Sequence, residues 1–230
     1  MGSLFFSNQA GTVWSHCGAT SIASTHGNAV WTAAHCLHSG SGGNAGWFSN
    51  HIFIPGYTAG MDPYGWWFGV SLIAPNSFIN GGDIHNDMGA LIVVPESGTN
   101  NLQTAVGSWG YRFDGSTSFT NARSYGYPAN GYNRPNSDFN DGEYMMYCEG
   151  SILDASPLNP LDNRVKMDCD MGQGSSGGPM AIGVGSTDIR IIGSNSHRDV
   201  DNNGNLINNW LYSSNHGGTA ASIINAVNNG

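Results

Sequence analysis

The chain has 230 residues, of which only 10% are charged, with 34 glycines and a formal net charge of -9. This length admits one domain or two small ones around a buried core, and an acidic chain without a basic patch argues against nucleic acid or an anionic membrane as partner. No apolar run approaches the roughly 18 residues of a membrane span, and the abundance of Gly, Asn, Ser and Thr describes a turn-rich β protein.

In chain order, Gly2–Ser7 reads as a first strand, and residues 13–17 and 21–23 read as two further short strands between Gly and Asn turns. Ala29–Thr32 is a strand that delivers His35 at its end. Residues 52–57 read as a strand and turn, and 68–73 alternate at strand period. Asp87 opens the apolar run 88–94, where a carboxylate at a strand mouth is desolvated and aimed at an imidazole nitrogen; Asp83 reads as a loop residue.

A polar stretch at 95–101 reads as the linker between two halves, 1–100 and 101–230. Strands are predicted near 105–111, 121–127, 143–150, 164–168, 180–184 and 189–195, with a long polar loop at 129–142. In the tail 219–227, Ala220, Ile223, Ile224 and Val227 recur at helical spacing.

The most informative stretch is Asp170-Met171-Gly172-Gln173-Gly174-Ser175-Ser176-Gly177-Gly178-Pro179. A serine hydroxyl is a poor nucleophile unless a base takes its proton and donors hold the oxyanion that forms. With Gly174 two residues before Ser176, both amides can face one small space. The base and orienting acid then have candidates in Thr32-Ala33-Ala34-His35-Cys36 and Asn86-Asp87-Met88-Gly89-Ala90-Leu91.

These three segments, in the order His, Asp, Ser, resemble serine proteases of the chymotrypsin type, whose signatures are T-A-A-H-C, D-x-A-L and G-D-S-G-G-P. Ser124-Tyr125-Gly126-Tyr127-Pro128 also resembles the G-Y-P segment of the glutamyl endopeptidase (V8-like) branch. The resemblance spans nearly the whole chain. It implies an all-β fold of two antiparallel six-stranded Greek-key barrels, with a C-terminal helix packed on the second, and a secreted endopeptidase with its site between the barrels. His35 is then general base, Asp87 its orienting acid, Ser176 the nucleophile, and the Gly174 and Ser176 N–H groups the oxyanion hole. Ser175, out of frame by one residue, is not the nucleophile, and it stands where trypsin relatives keep an Asp that pairs with a new N-terminus. Activation through such an ion pair is therefore not expected.

Four cysteines without a C-x-x-C pair read as two disulfides of an extracellular protein. The resemblance implies Cys17–Cys36, and Cys148–Cys169 then closes the loop before the nucleophile turn. No charged-then-apolar leader is present, so a mature or trimmed form is expected. His16, His26, His38, His51, His85 and His216 read as solvated or hydrogen-bonded loop residues, and no metal or cofactor is expected. A monomer acting on protein or peptide substrates is anticipated.

Specificity is open at this stage. An ungapped count from Ser176 puts Asp170 where trypsin relatives keep a pocket-floor Asp, which would select Arg or Lys. In the glutamyl frame the acid-reading His falls on Asn195 and the pocket Thr on Met171, so neither determinant survives, while His197 lies on the same strand face as Asn195. His197 either meets an acidic side chain or caps Asp199 or Asp201; Asp170 is equally a turn acid beside Cys169. Residues 199–204 match the start of an EF-hand loop, but position twelve is Trp210, so an Asx-rich turn is expected. The alternative function is a protease-fold binding protein without turnover.

Overall fold

A computed structural model describes residues 1–98, 100–159 and 161–229. Its first six strands are β1 (Gly2–Ser7), β2 (Trp14–Ser21), β3 (Ala29–Thr32), β4 (Ser49–Pro55), β5 (Trp67–Ile73) and β6 (Gly89–Pro95), and they close in the ring order β1-β2-β3-β6-β5-β4. Alternate residues point inward, as strand period demands, so Leu4 and Phe6 of β1 meet Val30, Phe53, Leu91 and Val93 in one core. Burying each such side chain is worth about 1.5–3 kcal/mol. Residues predicted as two strands around Cys17 form the single strand β2, because the turn residues between them continue the ladder with β1 and then β3.

The second ring is built from β8 (Phe119–Gly126), β9 (Met146–Asp154), β10 (Val165–Asp168), β11 (Pro179–Ile182), β12 (Arg190–Val200) and β13 (Leu206–Ser213), with β7 (Gly110–Tyr111) added parallel to β12. Because β11 pairs with both β8 and β12, these six strands also close. Ile152, Val165, Met167, Met180, Ile192 and Leu211 fill its interior. The overall architecture is the one anticipated from the sequence: two closed antiparallel barrels and a C-terminal helix.

Three local expectations give way. The predicted strand at 105–111 is split into helix α2 (Leu102–Val106) and the two-residue β7, since Asn101 caps the Thr104 N–H at 2.8 Å and Gly107, at φ 74°, stops the helix. Helix α1 (Asn76–Gly81) and strand β13 have no counterpart in the sequence prediction. The terminal helix α3 (Gly218–Asn229) packs mainly on the first barrel: Ala220, Ile223 and Ile224 bury in one cluster with Trp31 and Ala90, which Ile191 of β12 completes from the second.

Between the rings, the segment around Trp109 is hydrogen-bonded on both sides. Trp109 N–H donates to Ser21 O at 3.0 Å and its carbonyl accepts from Ala23 at 2.9 Å, while Gly110 and Arg112 N–H groups donate to Ile189 and Ile191 carbonyls of the other ring at 3.0 and 2.9 Å.

Candidate active site

The ladder between β3 and β6 sets Thr32 opposite Gly89. Running the chain three residues beyond one and two residues before the other brings His35 and Asp87 together. His35 sits in a short 3-10 turn, Ala34–Cys36, tied back to β2 by the Cys17–Cys36 disulfide with a Cα separation of 6.3 Å. Asp87 follows another such turn, Ile84–Asn86, and is 2% exposed.

The carboxylate of Asp87 is fully engaged. Oδ1 accepts from the His35 backbone N–H at 2.9 Å, and Oδ2 accepts from His35 Nδ1 at 2.7 Å and from Ser196 Oγ at 2.5 Å. Ser214 Oγ donates to the Asp87 carbonyl at 3.1 Å. Because a carboxylate only accepts, His35 carries its proton on Nδ1 and offers Nε2 as a base. Burial works against the charged forms of both groups, but their mutual attraction and hydrogen bond prevail: the His35 pKa is raised and that of Asp87 lowered. Asp83, by contrast, holds His85 and Asn86 of its own turn and does not touch His35.

Ser176 arrives from the second barrel. Its carbonyl accepts from Gly18 N–H of β2 at 2.6 Å, and the next residue, Gly177, has φ 73° and lies so close to Thr32 and Gly18 that a Cβ would collide with both. The turn is thereby pressed against the residues that lead into His35. Within it, Gly172 and Gln173 N–H groups donate to Asn130, and Ser175, Gly177 and Gly178 donate to Gly172, Asn195 and Ser175 carbonyls. Among the described residues the Gly174 and Ser176 amides alone in this run have no internal acceptor, and Gly174 holds φ 88°. These two half-buried N–H groups, two residues apart in one turn, are therefore the candidates to hold an anionic oxygen. The Ser176 hydroxyl is half-buried and uncommitted, whereas Ser175 is buried and donates to the Gly172 carbonyl at 2.6 Å.

A cavity of about 190 Å³ opens beside Ser176, walled by Asn195, Ser196, His197, Arg198 and Leu211 among others. Of the four sequence candidates for this wall, two are elsewhere in role. Asp170 is outside the lining and is ion-paired to Arg134 at 2.8 Å, so it is not an open anionic floor. Met171 is buried and offers only its carbonyl, to Arg198 Nη1 at 2.5 Å. Asn195 does line the cavity, yet its amide is spent bracing the turn, donating to Tyr125 and Ser175 carbonyls at 2.7 and 2.9 Å. His197 lines it too, but it lies on β12 stacked against Tyr212, and it caps neither Asp199 nor Asp201. Asp199 instead accepts from Asn208 and Tyr212, while Asp201 accepts from Asn203 and Asn205 N–H groups as an Asx turn.

Several functional side chains were not singled out from sequence. Ser196 and Ser214 on the Asp87 carboxyl and carbonyl carry no motif. Arg198 had one usable signal: only seven Lys and Arg residues occur in the chain, so each calls for a partner. Arg112, Arg123, Arg134, Arg164 and Arg190 find carboxylates. Among the described residues Arg198 does not; Nη1 and Nη2 donate to the Met171 and Asn208 carbonyls at 2.5 and 2.6 Å, and its buried Nε has no partner there. Burial pushes its pKa down from the ordinary guanidinium value. Among the remaining histidines, His16 and His51 lie on strands and not loops, and His38, His51 and His216 are buried; burial lowers His51 and His216 to about 4.

Comparison with solved structures places this geometry. The chain is similar to the protease Anisep from Arthrobacter nicotinovorans, with a TM-score of 0.84 and 29% identity over 100% of this chain and 95% of that one. It is also similar to the thermostable serine protease AL20 from an extremophilic microorganism, at 0.80 and 28% over 99% and 96%. A Glu endopeptidase shares the fold at 0.73 and 17% identity over 100% and 91%. No family model and no curated relative matches. The chain has the chymotrypsin-like fold, and the solved structures it matches at 28% and 29% identity are proteases, which supports a peptidase. Its four cysteines form the disulfides Cys17–Cys36 and Cys148–Cys169, and no described helix is long and apolar enough to cross a membrane.

Proposed function

We propose that the protein is a secreted endopeptidase acting through His35, Asp87 and Ser176, with a preference for an acidic residue on the acyl side of the cleaved bond. His35 Nε2 takes the Ser176 proton as Oγ attacks the scissile carbonyl, and the Gly174 and Ser176 amides hold the oxyanion. The intermediate collapses, the C–N bond breaks, and His35 returns the proton to the leaving amine. Water, deprotonated by the same imidazole, then hydrolyses the acyl-enzyme. The observation that supports this most is the pair of unpaired amides in a turn seated against the segment carrying a paired, Nδ1-protonated His35.

The acidic preference rests on Arg198. With Asp170 neutralised by Arg134, Arg198 is the cation on the cavity wall without a carboxylate among the described residues, and its Nη1 and Nη2 each keep a second N–H beyond the one given to the Met171 or Asn208 carbonyl. A substrate carboxylate there gains a charge-assisted bond of about 1.5–3 kcal/mol. Two disulfides support the extracellular setting. A fluorophosphonate probe should label the protein and fail on Ser176→Ala; absence of labelling in the folded wild type would instead favour a binding protein. A mixed peptide library should show cleavage after Glu or Asp, with Arg198→Met lowering kcat/KM for those substrates 10- to 100-fold and sparing neutral ones; cleavage after Lys or Arg would reject the acidic reading.

A further inference from the structure

We infer that Arg164 is a positioning residue that acts through His197 and Ser196 to keep a hydroxyl proton on Asp87. The inference rests on the reading of Asp87 as the orienting acid. Its geometry is a chain of three contacts: Arg164 Nη1 to His197 Nε2 at 2.8 Å, His197 Nδ1 to Ser196 Oγ at 2.9 Å, and Ser196 Oγ to Asp87 Oδ2 at 2.5 Å.

Hydrogen-bond chemistry permits one proton arrangement along this chain. The ionised Asp87 only accepts and Arg164 only donates. Ser196 has a single hydroxyl proton, and Asp87 takes it. Ser196 Oγ is therefore the acceptor from His197, which must carry its proton on Nδ1 and present a lone pair at Nε2 to the guanidinium. The other neutral tautomer would set an N–H against an N–H at one end and leave the Ser196 proton free to turn toward His197. An imidazolium would oppose the guanidinium in the same way.

The surroundings hold this arrangement rigidly. Arg164 is fixed by Asp162 through Nε and Nη2 at 2.8 and 2.7 Å, and Asp162 also accepts from Ser156 Oγ at 2.6 Å. His85 Nε2 lies 3.5 Å from Asp162 Oδ1, so the network returns to the turn that immediately precedes Asp87. The His197 ring stacks on Tyr212 with centroids 5.0 Å apart, and Tyr212 OH is held by Asp199 at 2.9 Å. Burial and the facing Arg164, only partly opposed by Asp87 and Asp199, depress His197 to about 4, which agrees with a neutral ring.

The decisive measurement is the nitrogen-15 NMR signature of His197 at pH 7, read on the inactive Ser176→Ala protein so that it does not depend on turnover. A protonated Nδ1 and unprotonated Nε2 are expected; the opposite tautomer or an imidazolium would overturn the inference. On the active enzyme, Arg164→Met should lower kcat about fivefold with KM changed less than twofold, and Arg164→Lys should recover part of the loss. In the His197→Phe background Arg164→Met should cost nothing further; additive losses would mean that Arg164 serves stability only. Failure of Ser176 to react with the fluorophosphonate would reject the triad while leaving the tautomer result standing.

Discussion

Replacing Gly174 with Ala tests the oxyanion hole most directly. A Cβ built there would lie 2.6 Å from His16 Nε2 and closer still to the Tyr127 carbonyl, where about 3.0 Å is the shortest approach real Cβ atoms show. Relief requires movement of about 0.4 Å or more at the imidazole and more at the carbonyl, and these two are themselves linked at 3.1 Å. The turn has less resistance than the two packed barrels, and φ 88° is strained for any side chain, so the peptide should rotate and carry the Gly174 N–H away from the cleft. Loss of one oxyanion donor costs roughly 10²–10³ in kcat, or about 2.7–4 kcal/mol. Steady-state kinetics on a peptide substrate, with KM and thermal midpoint measured alongside, should show that fall in kcat with KM changed only a few-fold. A kcat within fivefold of wild type in a folded variant would refute the assignment of this amide.

The raised pKa of His35 sets the acidic limb of kcat/KM above the ordinary histidine value of 6.5, since only the neutral ring accepts a proton; Asp87→Asn should lower kcat about 10⁴-fold, and a wild-type limb below 6.5 would contradict the pairing. In stability the sign is opposite: the His35 contribution is complete below its unfolded pKa and is lost as pH rises through the folded one, a loss Asp87→Asn should abolish in denaturant titrations. Replacing Cys17 and Cys36 by Ala opens a loop of sequence separation 19 and should cost about 3 kcal/mol of unfolding free energy, along with kcat, because the bridge anchors the His35 turn. Trp31→Phe removes the shorter of two donors to the buried His216 Nε2, at 3.0 Å, leaves Ser194 Oγ at 3.3 Å, and should cost about 1 kcal/mol by urea denaturation with kcat retained.

The barrels were legible because their inward residues alternate and because Gly and Asn mark the turns; β3 and β6 were found almost residue for residue. Strand β13 was not, since Asn208 and Asn209 interrupt its alternation and their partners, Arg198, Asp199 and Asp168, come from other strands. Helix α3 was read correctly as a helix, but its apolar stripe says nothing about which barrel receives it, and Trp31 and Ala90 prove to be the acceptors. At the site, His35, Asp87 and Ser176 were marked by local sequence because strained turns demand particular neighbours. The cavity wall was not, since Asp170 becomes neutral ground only through Arg134, 36 positions away, and Arg198 matters only because no carboxylate reaches it.

The segment at Trp109 has one more consequence. Its peptide groups complete the edge of one ring through Ser21 and Ala23 and of the other through Ile189 and Ile191. Neither half can melt without stripping bonds from its neighbour, so calorimetry should find a single transition whose measured and van't Hoff enthalpies coincide. A hydrolase in its own company gains from this, because openings that melt one barrel alone and expose its cleavable backbone are suppressed.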